Sequence, residues 1–210
     1  MNDVALINAI KPYTKTSQKR LEAMVASLRW IEEEAIDGDV VECGVWRAGN
    51  IMLARKIAPD RVCWLYDTFT GMTEPGPEDI SISSQLPALP RYHASPGWCL
   101  AALEDVKSDL AVMDCFDEQR LRFVVGDVAE TLLIAENLPD QIALLRLDTD
   151  WYASTKIELE VLYPRLVSGG VLIVDDYGHW QGSRQAVDEY FGNMVTLARI
   201  DYTAVMLVKP

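Results

Sequence analysis

The sequence predicts an α/β protein built on a doubly wound, mostly parallel sheet. Three observations carry that expectation. Apolar runs of strand length alternate with stretches of helical pattern along the 210 residues. Most of those runs are continuously apolar, as strands covered on both faces require. The chain finishes in "MVTLARIDYTAVMLVKP". This reads as two strands, about 194–200 and 203–209, whose tight junction at Ile200–Tyr202 forces them antiparallel.

Taken in order, the first element is helical. In "SQKRLEAMVASLRWIEEE" (17–34), Leu21, Met24, Val25, Leu28 and Ile31 form an i, i+3, i+4, i+7 stripe. Ser17 is placed to cap it and "DGD" at 37–39 to close it, so residues 1–38 form an N-terminal helical segment. Strands follow at 40–45, 61–69, 121–127, 142–148 and 170–176. Helices separate them at about 48–58, 98–117, 153–166 and 181–193. Residues 71–97 are proline-rich and without clear periodicity. A loop of that length, following the second strand at the edge where α/β sheets bind ligands, is expected to be a lid or binding loop. Nothing repeats, and the whole of 1–210 is expected to be one domain.

A net charge of −13 disfavours nucleic acid and anionic membranes as partners. No apolar run approaches the roughly 18 residues needed to span a bilayer. The first residues lack the basic start and apolar core of a secretory leader, so a cytoplasmic location is expected. Cys43, Cys63, Cys99 and Cys115 form no C-x-x-C pair, and with only His93 and His179 beside them zinc spacing is absent. Reduced thiols are the expectation.

Two features carry chemistry. The first is "VVECGVWRAGN" (40–50), a strand, a turn with Gly44 and Gly49, and a helix. Its Glu-x-Gly-x-x-x-x-Gly spacing matches neither a dinucleotide fingerprint nor a P-loop. Asp67 ends the second strand, where an acid commonly holds a ribose hydroxyl pair, and Asp127 ends the third. Glu42 and Asp67 disfavour a phosphate-rich cofactor and suit a ligand with a ribose and a positive charge. The second feature is a pair of acidic strand ends, Asp148 and Asp150 in "LRLDTDWYAST" and Asp175 and Asp176 in "VLIVDDYGHW". On neighbouring strands these ends would lie roughly 5 Å apart. Such carboxylates repel unless a divalent cation sits between them, and an all-oxygen cluster suits magnesium, calcium or manganese. Each acid taken singly is equally readable as a cap or turn residue. Arg146, within the apolar fourth strand, calls for an acidic partner. His179 is a candidate base or a rim residue.

These segments, with "LYDTFTGM" and the run from "IALLRLDTDWYASTKIELE" to "VLIVDDYGHWQGSRQAVDEYF", resemble the macrocin O-methyltransferase family over roughly residues 15–195. These are metal-dependent S-adenosylmethionine enzymes that methylate sugars on antibiotics. The resemblance implies a class I methyltransferase fold, a Rossmann-like seven-stranded sheet with its last strand antiparallel. It implies that Glu42, Gly44, Trp46, Arg47 and Gly49 shape the cofactor turn, that Asp67 holds the ribose, and that Asp127 with Val128 borders the adenine. It implies Asp148, Asp175 and Asp176 as metal ligands and Asp150 as general base. The acceptor implied is a sugar or polyol hydroxyl, and the assembly a dimer or larger. The family usually has Gly-Gly where this chain has Ala48–Gly49, so Ala48 is expected at a negative φ. The chain is shorter at its N-terminus than the antibiotic-tailoring members, so a smaller or more openly bound acceptor is expected. Two rivals remain at this point. A nucleotide-sugar glycosyltransferase would use the Asp-x-Asp for a metal, and a nucleoside-binding module would have no catalysis.

Overall fold

A computed structural model of the chain describes residues 2–210. Seven strands form one sheet: β1 (Asp39–Cys43), β2 (Cys63–Asp67), β3 (Leu121–Val125), β4 (Ile142–Leu147), β5 (Leu166–Val174), β6 (Ala198–Arg199) and β7 (Val205–Val208). Their order is β3-β2-β1-β4-β5-β7-β6. β1 to β5 pair in parallel, and β7 runs antiparallel between β5 and β6. The chain builds outward from β1 to β3, then returns to lay β4 on the other side of β1. The switch point of the sheet therefore lies between the carboxyl ends of β1 and β4, where α/β folds bind ligands.

Strand periodicity divides the core into two layers. Val40, Leu144, Val171 and Ile173 face α1 (Asp3–Ile10), α2 (Gln18–Glu33), α3 (Gly49–Ile57) and α5 (Leu103–Val112). Val41, Leu145, Leu172 and Val174 face the layer of α6 (Val128–Thr131), α7 (Tyr152–Leu162) and α8 (Gln181–Phe191). Every residue of β4 is buried, which is why its sequence reads as one apolar run broken only by Arg146. Ser17 caps α2 as its sequence predicts, its side chain accepting from the Arg20 amide.

Three expectations are corrected. The terminal hairpin is shorter, since β6 keeps only two residues and 195–197 carry no ladder. The helix expected over 98–117 starts only at Leu103, because Gly97 and Cys99 both take positive φ and turn the chain first. The 71–97 segment contains a short helix, α4 (Leu89–Ala94), and pairs with the body of the protein through an isolated Ser81–Trp180 bridge.

Glu158, on the sheet-facing side of α7, is wholly buried. Its Oε1 accepts a 2.9 Å bond from Thr149 Oγ1, while Oε2 is buried without a partner. Burial pushes its carboxyl up to about 8 from a usual 4.5, so it is a neutral acid at pH 7. Between these values the folded chain holds a proton that the unfolded chain releases, so its contribution to stability falls as pH rises. Glu158→Gln should therefore match the parent near pH 5 and exceed it by about 2–3 kcal/mol at pH 8. Urea midpoints at the two pH values check this.

Candidate active site

The glycine turn after β1 is folded by close approach and by one carboxylate. Gly44 sits at φ 80°, and a Cβ there would stand 2.1 Å from the Asp148 carbonyl oxygen. No side chain fits, because the ends of β1 and β4 touch at that point. Asp67, at the end of β2, accepts the amides of Val45 (2.8 Å) and Trp46 (3.0 Å) on Oδ2 and that of Phe69 (2.8 Å) on Oδ1. Ala48, contrary to the negative φ expected from sequence, takes φ 61°. A left-handed alanine costs about 1 kcal/mol relative to glycine, and the turn retains it by burying the methyl completely.

The acidic ends of β4 and β5 adjoin through the ladder, the Asp175 amide donating to the Leu147 carbonyl at 2.9 Å. One carboxylate oxygen each from Asp148, Asp150 and Asp176 lies within 4.8 Å of the others. Burial and mutual repulsion raise all three, Asp150 to about 7. Asp176 Oδ2 is buried with no hydrogen-bond partner. Asp150 has φ 69° and accepts a 3.0 Å bond from the Trp180 indole. Asp175 departs from the expected ligand set. Its carboxylate is taken by two arginines, Arg146 and Arg20, and lies outside the trio.

Arg146 finds more partners than its sequence position predicts. Its guanidinium, 2% exposed, donates to Glu42 (2.6 Å), Asp148 (2.8 Å) and Asp175 (2.5 Å), with Thr16 Oγ1 at 3.2 Å. Burial still lifts Glu42 to about 7, with Arg146 and Asn50 opposing the rise. The expected lid is a docked brace. Asp79, 1% exposed, accepts from the Tyr152 amide (2.8 Å) at the start of α7 and from the Gly76 amide (2.7 Å). Trp151 Nε1 donates to the Thr73 carbonyl, and the Ile82 amide to that of His179. Trp151 packs edge to face on both Trp98 and Trp180, which are tilted against each other. Gly182 completes the fit, since a Cβ there would lie 2.0 Å from Asp79 Oδ1.

A cavity of about 230 Å³ runs from the glycine turn to the acidic trio. Of the residues predicted from sequence, Glu42, Gly44, Trp46, Asp67, Asp127, Val128, Asp148, Asp150, Asp175 and Asp176 line it. Arg47, Gly49 and His179 lie off its wall. Arg47 is a structural cation, paired with Asp109 (2.7 Å) and stacked on Tyr13. Gly49 packs on Tyr13 and Thr14. His179 meets Trp180 and Tyr202 edge to face, and burial and the nearby arginines lower its pKa. Thr14, Lys15, Thr16, Arg20, Asn50 and Cys99 line the cavity without a local motif that announces them. The N-terminal residues reach it because α2 runs along β5 with its first turn at the carboxyl end, where Arg20 meets Asp175, and its last turn at Gly169.

The sheet order and this site at its switch point define a methyltransferase of the class I fold. The model of the macrocin O-methyltransferase (TylF) family matches residues 8–209, and the chain belongs to that family. A curated relative from Streptomyces olivaceus, a tetracenomycin rhamnosyl 4'-O-methyltransferase, is 32% identical over 92% of this chain and 74% of its own. Demethyldecarbamoylnovobiocin O-methyltransferase from Streptomyces niveus is 36% identical over 85% of this chain and 67% of its own. Among solved structures, the O-methyltransferase NovP superposes with a TM-score of 0.82 at 32% identity, covering 94% of this chain and 82% of its own. The chain is thus an O-methyltransferase, and the glycosyltransferase and binding-module alternatives give way. Among the described residues no helix is long and apolar enough to cross a membrane.

Two substitutions test this architecture. Gly44→Ala should destabilise the fold by more than about 2 kcal/mol, read as a lowered thermal midpoint. Asp79→Ala should cost about 1–3 kcal/mol through the two amides it strands. Asp79→Asn, which keeps one acceptor oxygen and turns an N–H2 group toward the other amide, should recover at most part of that loss.

Proposed function

We propose that the chain moves a methyl group from S-adenosylmethionine to a hydroxyl of a sugar or related polyol on a natural product, with a divalent cation, magnesium first, in the acidic trio. The observation that carries this is the single cavity joining the glycine turn to Asp148, Asp150 and Asp176. The relatives support the acceptor class, since one acts on a rhamnosyl group and another is mycinamicin III 3''-O-methyltransferase from Micromonospora griseorubida. At the turn, Glu42 and Asp67 suit a nucleoside that carries a positive sulfonium, and Asp127 with Val128 borders the place for its base.

The donor set fits a hard cation. Three carboxylates crowded at one place raise one another's pKa, and an orphaned buried oxygen on Asp176 awaits a partner. Asp148 and Asp176 would hold the ion; Asp175 would join only by sharing an oxygen with its arginines. When bound, the cation would lower the pKa of the acceptor hydroxyl. Asp150 accepts the hydroxyl proton as the new C–O bond forms and the methyl–sulfur bond breaks. Trp180 aims the carboxylate for that task, leaving Oδ1 for the acceptor.

Labelled S-adenosylmethionine and a panel of glycosylated natural products test the proposal. Activity should require magnesium and vanish with chelator. Asp150→Asn should lower kcat by about 10²–10⁴ while binding of S-adenosylhomocysteine stays near the parent value. Asp176→Asn should raise the magnesium concentration needed for half-activity. Full turnover by Asp176→Asn in chelator would remove the metal from the scheme.

A further inference from the structure

We propose that Lys15 is the residue that receives the α-carboxylate of S-adenosylmethionine, and so sets the orientation of its methionyl end. This rests on the cofactor reading above. Seven carboxylate side chains line the cavity. A ligand carboxylate entering it is repelled unless a cation or free N–H donors meet it.

The glycine turn has few donors to spare. The Gly44 amide is bound to the Tyr66 carbonyl, those of Val45 and Trp46 to Asp67, and that of Ala48 to the Val45 carbonyl. The Asn50 amide group donates to Glu42 and Thr16. The Tyr13 carbonyl and Thr14 pack against Gly49 at the start of α3, 2.7 Å from where its Cβ would stand. Four of the five amides from Gly44 to Ala48 are thus committed within the protein, where a phosphate-binding loop keeps its amides open to an anion.

Two cationic side chains line the cavity, Arg20 and Lys15. Arg20 is committed to Asp175, Asp201 and Ser17. Lys15 forms no ion pair among the described residues. Its Nζ rests 4.6 Å from the centroid of the Trp46 ring, on the cofactor turn itself. That cation–π contact holds the ammonium over the turn and leaves its N–H donors free to bind a carboxylate. Burial raises the Cys99 thiol and Lys15 opposes the rise, so the ammonium stands within electrostatic reach of a second cavity-lining residue. A lysine at this position matches a small anion as a point charge.

Calorimetry with two ligands tests the assignment. S-adenosylhomocysteine carries the methionyl carboxylate; 5'-methylthioadenosine keeps the nucleoside and lacks it. Lys15→Met should weaken S-adenosylhomocysteine on the order of tenfold or more and leave 5'-methylthioadenosine unchanged, with Lys15→Arg restoring most of the loss. If Lys15→Met binds S-adenosylhomocysteine as the parent does, or weakens both ligands equally, the assignment is overturned and the cofactor reading stands. If the parent itself binds neither ligand, the cofactor reading falls and takes this inference with it.

Discussion

The buried guanidinium of Arg146 is the interaction on which the site depends. It stands on β4 at the switch point and holds Glu42 of β1, Asp148 at its own strand end and Asp175 of β5. Three strands that would each carry an uncompensated carboxylate into the interior are brought to one positive charge. Burying four charged groups is costly, and such a cluster is weak evidence of stability gained. Removing Arg146 alone would be worse, since it would leave the buried Glu42 carboxyl without its cation and Asp175 with Arg20 alone. Its effect is positional. It fixes the height of the β4 end against β1, where Gly44 leaves no room for adjustment.

From that centre the charges alternate outward. Asp175 passes from Arg146 to Arg20, and Arg20 to Asp201, which also receives the Ser17 hydroxyl and the amides of the turn before β7. The helix cap of α2, the strand ends of the active site and the terminal hairpin are one electrostatic chain. Asp201 is held well below the usual carboxylate range despite burial, by the Ala204 amide, the Ser17 hydroxyl and other partners, Arg20 included. The N-terminal segment is thereby fixed against the cavity it helps to line.

Much of this was legible in the sequence. Continuous apolar runs marked the buried strands, and Asp148, Asp150, Asp175 and Asp176 are paired at adjoining strand ends as their positions implied. Gly44 and Asp67 sit together at the turn for reasons of space and hydrogen bonding that a local motif carries. What sequence could not show depends on distant packing. Arg47 reads as part of the cofactor turn, yet its side chain leaves toward Asp109 because Tyr13 offers a flat face on that side. Lys15 and Arg20 reach the cavity because the start of α2 packs at the carboxyl end of β5, which no periodicity encodes. Which of the four acids converge and which one the arginines claim is a question of rotamers rather than spacing, and Asp175 is the one paired with Arg146 and Arg20. Ala48 shows the opposite failure, a residue that accepts an unfavourable backbone because its surroundings leave no other.

The fit of Asp79 against Gly182 bears on how this protein can change. The brace between Thr73 and Ile82 touches both turns that carry the acidic trio, so it cannot drift freely as surface loops do. Any exchange of that stretch for a relative's version must bring a matching residue at 182, a hundred positions away. The part of the segment beyond it, from Ser83 to Gly97, touches these turns through fewer contacts, Ala88 packing with Trp151 and Trp180 and Gln85 accepting from Gln181. Exchange of residues has more latitude there, with the braced half kept as a partner of α8.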